Sequence, residues 1–306
     1  MKAIRLHQVG GPESLLYEDA PKPVPKDNQV LVRVYATAIT PTELDWYPTF
    51  HTPEGGLRPF PIIQGHEFSG IVEAVGSGCM NVQVGDPIYG LSDWFIDGAQ
   101  AEYCLTVPAN IAPKPVTLEH AQAAVVPISA LTAWQALIDR AHLSAGQRVL
   151  IHGAAGGVGS FAVQLARHQR AYVIATASAK NTDFVKALGA DEVIDYTITP
   201  FETVVGGVDV VLDTIGGDTR NRSWGVLRKG GRLVTIAADA EGSKEQRVHD
   251  AFFIVEPNRN QLVDISRLID SGVLRPVVGA VFSMENFRQA YEQKPVRSKN
   301  VLRIAE

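Results

Sequence analysis

Cysteine is almost missing from this chain of 306 residues: there are two, Cys79 and Cys104. That is too few for a disulfide framework, and neither has a metal-ligand neighbour at CxxC spacing. An excess of positive charge is missing too. The 28 Lys and Arg residues against 33 Asp and Glu leave a net charge of −5, and the basic residues are scattered. No field is available to hold a phosphate backbone, so nucleic acid is not expected as a partner. The opening residues, MKAIRLHQVGG, contain no apolar run of the signal-peptide kind. No stretch reads as the ~20 apolar residues of a membrane span, so the expectation is a cytoplasmic protein with no membrane partner. What remains is a globular composition, 45% hydrophobic and 20% charged, long enough for two domains.

The most informative stretch runs from 147 to 180. Arg148 to His152 is an apolar, β-branched run that predicts a strand; Gly153, Gly156 and Gly159 follow at three-residue intervals; Phe161, Leu165 and His168 then continue at helical spacing. A second strand is predicted over Ala171 to Thr176. Strand, glycine turn, helix and strand in this order open a dinucleotide-binding sheet: one glycine permits the turn, one lets backbone N–H groups approach a pyrophosphate, and one lets helix and strand pack closely.

The end of the second strand bears on which dinucleotide is held. A carboxylate there would bond the ribose hydroxyls of NAD, but the segment reads Thr176, Ala177, Ser178, Ala179, Lys180, Asn181, with its first acid at Asp183. A hydroxyl and an ammonium suit the 2′-phosphate of NADP(H). The competing reading is that Ser178 caps the next helix and Lys180 is a solvated charge.

Before this unit the chain looks β-rich. Strands are predicted at Gln29–Ile39, Gly70–Val75, Pro87–Tyr89 and Ala101–Val107, separated by glycine turns. Thr117 is placed to cap a helix, and Pro127–Leu143 predicts another. After it, strands at Glu192–Ile194, Val208–Leu212, Arg232–Ile236 and Phe252–Val255 alternate with helices. That is the pattern of an α/β, doubly wound parallel sheet. The tail from Pro276 returns to strand, helix, strand and is able to pack onto the first domain, making that domain discontinuous. The expected division is 1–120 plus 265–306, and 121–264.

Several segments carry a likeness: GHEFSGIVEAVGSG at 65–78, VGDPIYG at 84–90, SALTAWQAL at 129–137, HGAAGGVG at 152–159, ALGADEVIDY at 187–196 and VRSKNVLRI near the end. On these the chain resembles the medium-chain dehydrogenase/reductase superfamily, and within it the zinc-independent quinone oxidoreductase branch. The resemblance implies a GroES-like β domain, a Rossmann cofactor domain and a homodimer. The catalytic zinc of the superfamily's alcohol dehydrogenases is held by Cys, His and Cys with a Glu nearby. Here His66 and Glu67 remain, but Thr40-Pro41-Thr42 and 124–128 supply no cysteine, so no metal is expected and His66 is taken as structural. Without a Lewis acid, the acceptors that fit are already electrophilic: a quinone or an α,β-unsaturated carbonyl.

The resemblance also implies site residues. Thr132 lies near the nicotinamide amide, and Gly153, Gly156, Gly157 and Val158 form the pyrophosphate loop. Thr176, Ser178, Lys180 and Tyr196 lie at the adenosine end. Asp213, Thr214, Ile215, Ile236 and Ala237 line the cofactor, Phe253 and Val255 close over its reactive end, and Lys299 is a further candidate. On the substrate side, the relatives' Asn-Pro-x-Asp pattern is replaced here by Thr40 and an acid taken as Asp45. Thr42, Asp45, Trp46 and Trp94 are expected in the pocket for a small-molecule substrate. Tyr47 is placed to donate a proton, and the two tryptophans to stack on a planar acceptor. Two rival functions stay open: a zinc alcohol dehydrogenase, and a non-catalytic NADPH-binding sensor.

Overall fold

β-Branched residues with small partners favour an extended chain, and Val30–Ala38 is a nine-residue strand at the centre of the N-terminal sheet. The computed structural model describes residues 1–305. That strand pairs antiparallel with Glu67–Val75, which continues through Pro87–Leu91 to Ile111–Pro113; Tyr103–Thr106 pairs with it as well. The tail strand Lys299–Arg303 closes the other side, with Val301 opposite Ala38, and Val278–Ser283 runs parallel to it at the edge. Alternate residues of these strands, Val30, Val32, Val34, Phe68, Val72 and Ile88 among them, form one buried cluster.

These elements make one unit, Met1–Ile128 with Pro257–Gly272 and the tail from Pro276. The other is Ser129–Glu256 with Val273–Arg275. The boundaries thus fall after 128 and 256 instead of after 120 and 264. Ile128 stays with the first unit because its N–H donates to the buried Glu67 carboxylate at 2.9 Å. The helix Arg259–Asp270 joins the same unit, where the Tyr89 hydroxyl donates to the Leu262 carbonyl at 2.6 Å and Arg259 donates to the Ile111 carbonyl at 2.6 Å.

The second unit is built on five parallel strands in the order Glu192–Asp195, Tyr172–Ala177, Arg148–Ile151, Val208–Asp213, Leu227–Thr235. The chain reverses direction across the sheet between Arg148–Ile151 and Val208–Asp213, and ligands of such sheets bind beyond the carboxyl ends of the strands at that point. Leu150, Ile174, Val208, Val211 and Leu233 fill one core cluster with Phe201.

Four expectations are corrected. Thr117 caps nothing: its N–H and hydroxyl both donate to Asp270, and the helix starts at His120 under a capping box of Glu119 and Gln122. Phe252–Val255 is not a strand; only Phe252 makes a single parallel bridge, to Thr235. The helix Pro127–Trp134 passes into a π turn, Gln135–Arg140. The run His120–Arg140 is also, by length and composition, apolar enough to cross a bilayer, contrary to the expectation that no stretch approaches a span. Yet 72% of its most apolar window is buried inside the protein, which is how a core helix passes the same test.

Candidate functional site

In the second unit, geometry explains the glycines one by one. Gly153 sits at φ +68°, and a Cβ there would lie 2.4 Å from Thr214 Oγ1. Gly159 has no spare room either: its Cβ would be 2.3 Å from the Gly153 carbonyl oxygen and 2.7 Å from Ala154 Cα. Gly156 is the N-cap of the twelve-residue helix Gly157–His168 and brings no side chain to it. The first-turn N–H groups of Gly157 and Val158 therefore meet no side-chain cap, at the positive end of a helix dipole. Such an arrangement suits an anion such as a pyrophosphate.

The turn rests on a buried histidine that sequence reasoning assigned only to the strand. His152 lies between Thr176 Oγ1, 3.1 Å from Nδ1, and Ser223 Oγ, 3.0 Å from Nε2. Because the Ser223 hydroxyl donates to the Thr219 carbonyl at 2.7 Å, it accepts from Nε2–H, and Thr176 donates to Nδ1. Burial holds the imidazole neutral and pushes its pKa down to about 4. A histidine with a lowered folded pKa stabilises the fold fully above its unfolded value near 6.5, and that stability drains away as pH falls from there toward 4. The expected loss from His152 between pH 7 and pH 5 is about 2 kcal/mol. Thermal melting of the wild type and of His152→Gln at both pH values checks it; a wild-type midpoint that moves no more than the variant's contradicts it.

Asp213 is buried and spent on its own loop. It accepts the N–H groups of Ile215 and Gly216, each at 3.0 Å, and the Thr235 hydroxyl at 2.8 Å. It shapes the strand ends carrying Thr214, Ile215, Ile236 and Ala237. Thr214 Oγ1 ties back to the His152 carbonyl at 2.9 Å, while Ile215 is 57% exposed beside Gly153. Thr132, Phe253 and Val255 are buried.

Where the adenosine end is expected, Ser178 follows the strand Tyr172–Ala177 and caps nothing with its side chain, while Lys180 is exposed and forms no salt bridge among the described residues. Tyr196 is 61% exposed, so it fills no core. Sheet pairing adds a residue the linear sequence hid: Asp195 lies opposite Ala177. Its carboxylate accepts the N–H and hydroxyl of Thr197, at 3.0 and 2.7 Å, and these bonds together with the N–H of Ala179 lower its pKa.

In the first unit, the acid that matters on the loop after Val30–Ala38 is Glu43. Asp45 and Thr42 are exposed, whereas Glu43 is buried. The Asn-Pro-x-Asp pattern therefore keeps its spacing, as Thr40-Pro41-Thr42-Glu43, and reading the acid at that position instead of two residues later would have found it. Glu43 Oε2 accepts from Gly65 N–H at 2.9 Å and pairs with His66 Nδ1 at 3.2 Å; His66 Nε2 faces the Ile96 carbonyl at 3.3 Å. Trp94 leans on His66 with ring centroids 5.2 Å apart, and Trp46 meets Trp94 edge to face at 5.2 Å. Tyr47 stacks on His51 at 4.0 Å and is 48% exposed. Lys299, expected with the cofactor residues, lies in this unit. Its ammonium donates to Thr40 Oγ1 at 3.0 Å and to Glu67. Burial raises the Glu67 pKa, and Lys299 and the Ile128 N–H oppose that rise.

The donor set does not fit a catalytic zinc. His66 has both ring nitrogens engaged, Glu67 is committed to Lys299, and Cys104 is buried on an apolar strand. Among the described residues no three His, Cys, Asp or Glu side chains gather as metal ligands.

The alcohol dehydrogenase GroES-like domain matches residues 26–135, and a zinc-binding dehydrogenase domain matches residues 188–295, a segment without cysteine. The quinone oxidoreductase of Sus scrofa is 32% identical over 314 residues, covering 95% of this chain and 93% of its own. The chain belongs to the medium-chain dehydrogenase/reductase superfamily, in its quinone oxidoreductase branch. The quinone oxidoreductase from Coxiella burnetii shares the fold of this medium-chain reductase with a TM-score of 0.90, at 31% identity over 99% of both chains. The 2-methylene-furan-3-one reductase of Solanum lycopersicum is 32% identical over 263 residues, 83% of this chain and 64% of that one. As a medium-chain reductase the protein is an oxidoreductase, and membership implies a nicotinamide cofactor, which the uncapped helix and glycine cradle fit.

Proposed function

We propose that this protein is an NADPH-dependent reductase that passes hydride to a quinone or an α,β-unsaturated carbonyl without a metal. The observation that carries the reading is that His66 and Glu67, the two surviving residues of the zinc positions, are spent on Glu43, Ile96 and Lys299. With no Lewis acid to polarise a simple ketone, an acceptor that is electrophilic by conjugation is the one that reacts. The relatives named for a quinone and for a methylene-furanone point to the same acceptor class.

The cofactor supplies a hydride; the chain supplies placement. Gly157 and Val158 N–H groups hold the pyrophosphate, Ser178 and Lys180 take the 2′-phosphate, and Thr132 with Phe253 and Val255 receives the nicotinamide end. The preference for NADPH rests on Lys180 having no carboxylate partner among the described residues, while Asp195 at the strand end is turned to Thr197 and Ala179. Trp46 and Trp94 offer a planar substrate an aromatic surface, and Tyr47 is the candidate proton donor. Two copies of the chain are proposed to form the working homodimer.

The test is consumption of NADPH or NADH by the purified, chelator-treated protein with a quinone, an alkenal, a cyclic enone and a simple ketone. Turnover of the conjugated acceptors alone is expected. Lys180→Ala is expected to raise the KM for NADPH about tenfold, the worth of one charge-assisted hydrogen bond, with NADH kinetics unchanged. Ketone reduction restored by added zinc would overturn the metal-free reading. Tight NADPH binding with no acceptor consumed would favour a sensor.

A further inference from the structure

π turns inside helices are rare and concentrate at functional sites. This one, Gln135–Arg140, continues the helix that carries Thr132. In α geometry, at about 100° per residue, side chains at 135 and 140 would point about 140° apart. Widening the turn to i→i+5 bonding brings residues five apart onto the same side of the helix, and here both reach the same segment.

The Gln135 amide pairs with Glu256 as a neighbouring strand would. Its Nε2–H donates to the Glu256 carbonyl at 2.8 Å, and its Oε1 accepts the Glu256 N–H at 3.1 Å. The Arg140 guanidinium lies over the Phe253 ring, 4.6 Å from its centroid. Among the described residues the segment between joins the sheet only at its start: after the single bridge at Phe252, the Phe253 N–H reaches the Thr235 carbonyl at 3.4 Å, a long bond. Two side chains of the π turn thus grip the two ends of a stretch that the sheet itself does not hold.

We infer that the π turn is a clamp, with Gln135 and Arg140 as positioning residues that set the Phe253–Glu256 backbone against the nicotinamide end of the cofactor. This rests on the NADPH reading proposed above. Such a clamp governs the nicotinamide half and leaves the adenosine half untouched, because Ser178, Lys180 and Tyr196 stand at the ends of other strands. Hydride transfer is sensitive to small displacements of the ring, so the effect falls on kcat as well as on affinity.

The experiment uses Arg140→Met, at an exposed position that leaves the core intact, together with Gln135→Leu and Gln135→Glu. The probes are NADPH, 2′,5′-ADP and hydrogen exchange of the Phe253–Glu256 amides in the ligand-free chain. Arg140→Met and Gln135→Leu are expected to weaken NADPH about tenfold and lower kcat, to leave 2′,5′-ADP affinity unchanged, and to speed exchange in the segment. Gln135→Glu, which keeps the acceptor for the Glu256 N–H and loses the donor, is expected to fall between. Equal weakening of both ligands, or unchanged exchange at Phe253–Glu256, overturns the clamp. If the wild type binds 2′,5′-ADP no better than 5′-AMP, the NADPH reading fails, while exchange in the ligand-free chain still decides whether the π turn holds the segment.

Discussion

Replacing Lys299 with methionine is expected to cost the fold about 3–5 kcal/mol, because it leaves the Glu67 carboxylate buried without its counter-charge. Glu67 is fully buried, one oxygen on Ile128 N–H and the other on the lysine. The pair as a whole adds little, since bringing both ions out of water offsets their attraction; removing one partner exposes the full desolvation penalty of the other. The loss should depend on pH with a definite sign. Burial already holds the Glu67 pKa above that of a free carboxylate, and losing Lys299 raises it further. A carboxyl with a raised folded pKa binds its proton in the folded state first, so stability rises as pH falls through that pKa. The deficit of Lys299→Met should therefore be largest near neutral pH and shrink on acidification. Pairing it with Glu67→Gln should restore most of the loss, since an uncharged amide is left in place of the buried charge. Chemical denaturation of the three variants across pH measures this, and a deficit independent of pH would refute the account.

The second large effect is at Gly159, where alanine is expected to weaken cofactor binding by up to ~100-fold. Two opposing terms are involved. In a helix, alanine is better than glycine by about 1 kcal/mol, so an unhindered site would gain. Here the new Cβ would stand 2.3 Å from the Gly153 carbonyl and 2.7 Å from Ala154 Cα, both backbone. Neither can swing aside as a side chain would, so the helix must lift away from the turn. Overpacking of this kind costs about 1–3 kcal/mol, which outweighs the propensity gain. The displaced first-turn N–H groups of Gly157 and Val158 lose their aim at the pyrophosphate proposed to sit there, and at about 1.4 kcal/mol per tenfold a cost of this size corresponds to a loss of NADPH affinity of up to ~100-fold. Gly225→Ala is the control: no atom lies within 4 Å of its Cβ, and neither stability nor binding should change. Titration of NADPH fluorescence with both variants decides the matter, and a Gly159→Ala protein that binds normally would mean the turn is looser than its geometry implies.

Much of the cofactor unit was legible in the chain because its signals are local. Strand, glycine turn and helix over 148–168 follow from β-branched residues, from three glycines and from helical spacing, all within a few turns of each other. The overreach at Phe252–Val255 has a local cause too: an apolar run reads as a strand whether or not a partner strand exists, and here only one bridge forms. The domain boundaries shifted because Ile128 and Arg259–Asp270 are claimed by distant hydrogen bonds, to Glu67, Tyr89 and Ile111.

By itself, then, the sequence determined the fold class, the phosphate turn, the two zinc-position cysteines that are missing and the hydroxyl and ammonium that follow the second strand, since each depends on residue type at short spacing. Only the tertiary structure decided which polar groups remain for chemistry. Glu43 beneath His66, Lys299 against Glu67, Asp195 beside Ala177, His152 between Thr176 and Ser223, and Gln135 on Glu256 bring together residues from 18 to 232 positions apart. Burying a polar group demands a partner, and the chain finds that partner wherever packing brings it, at separations no local pattern records.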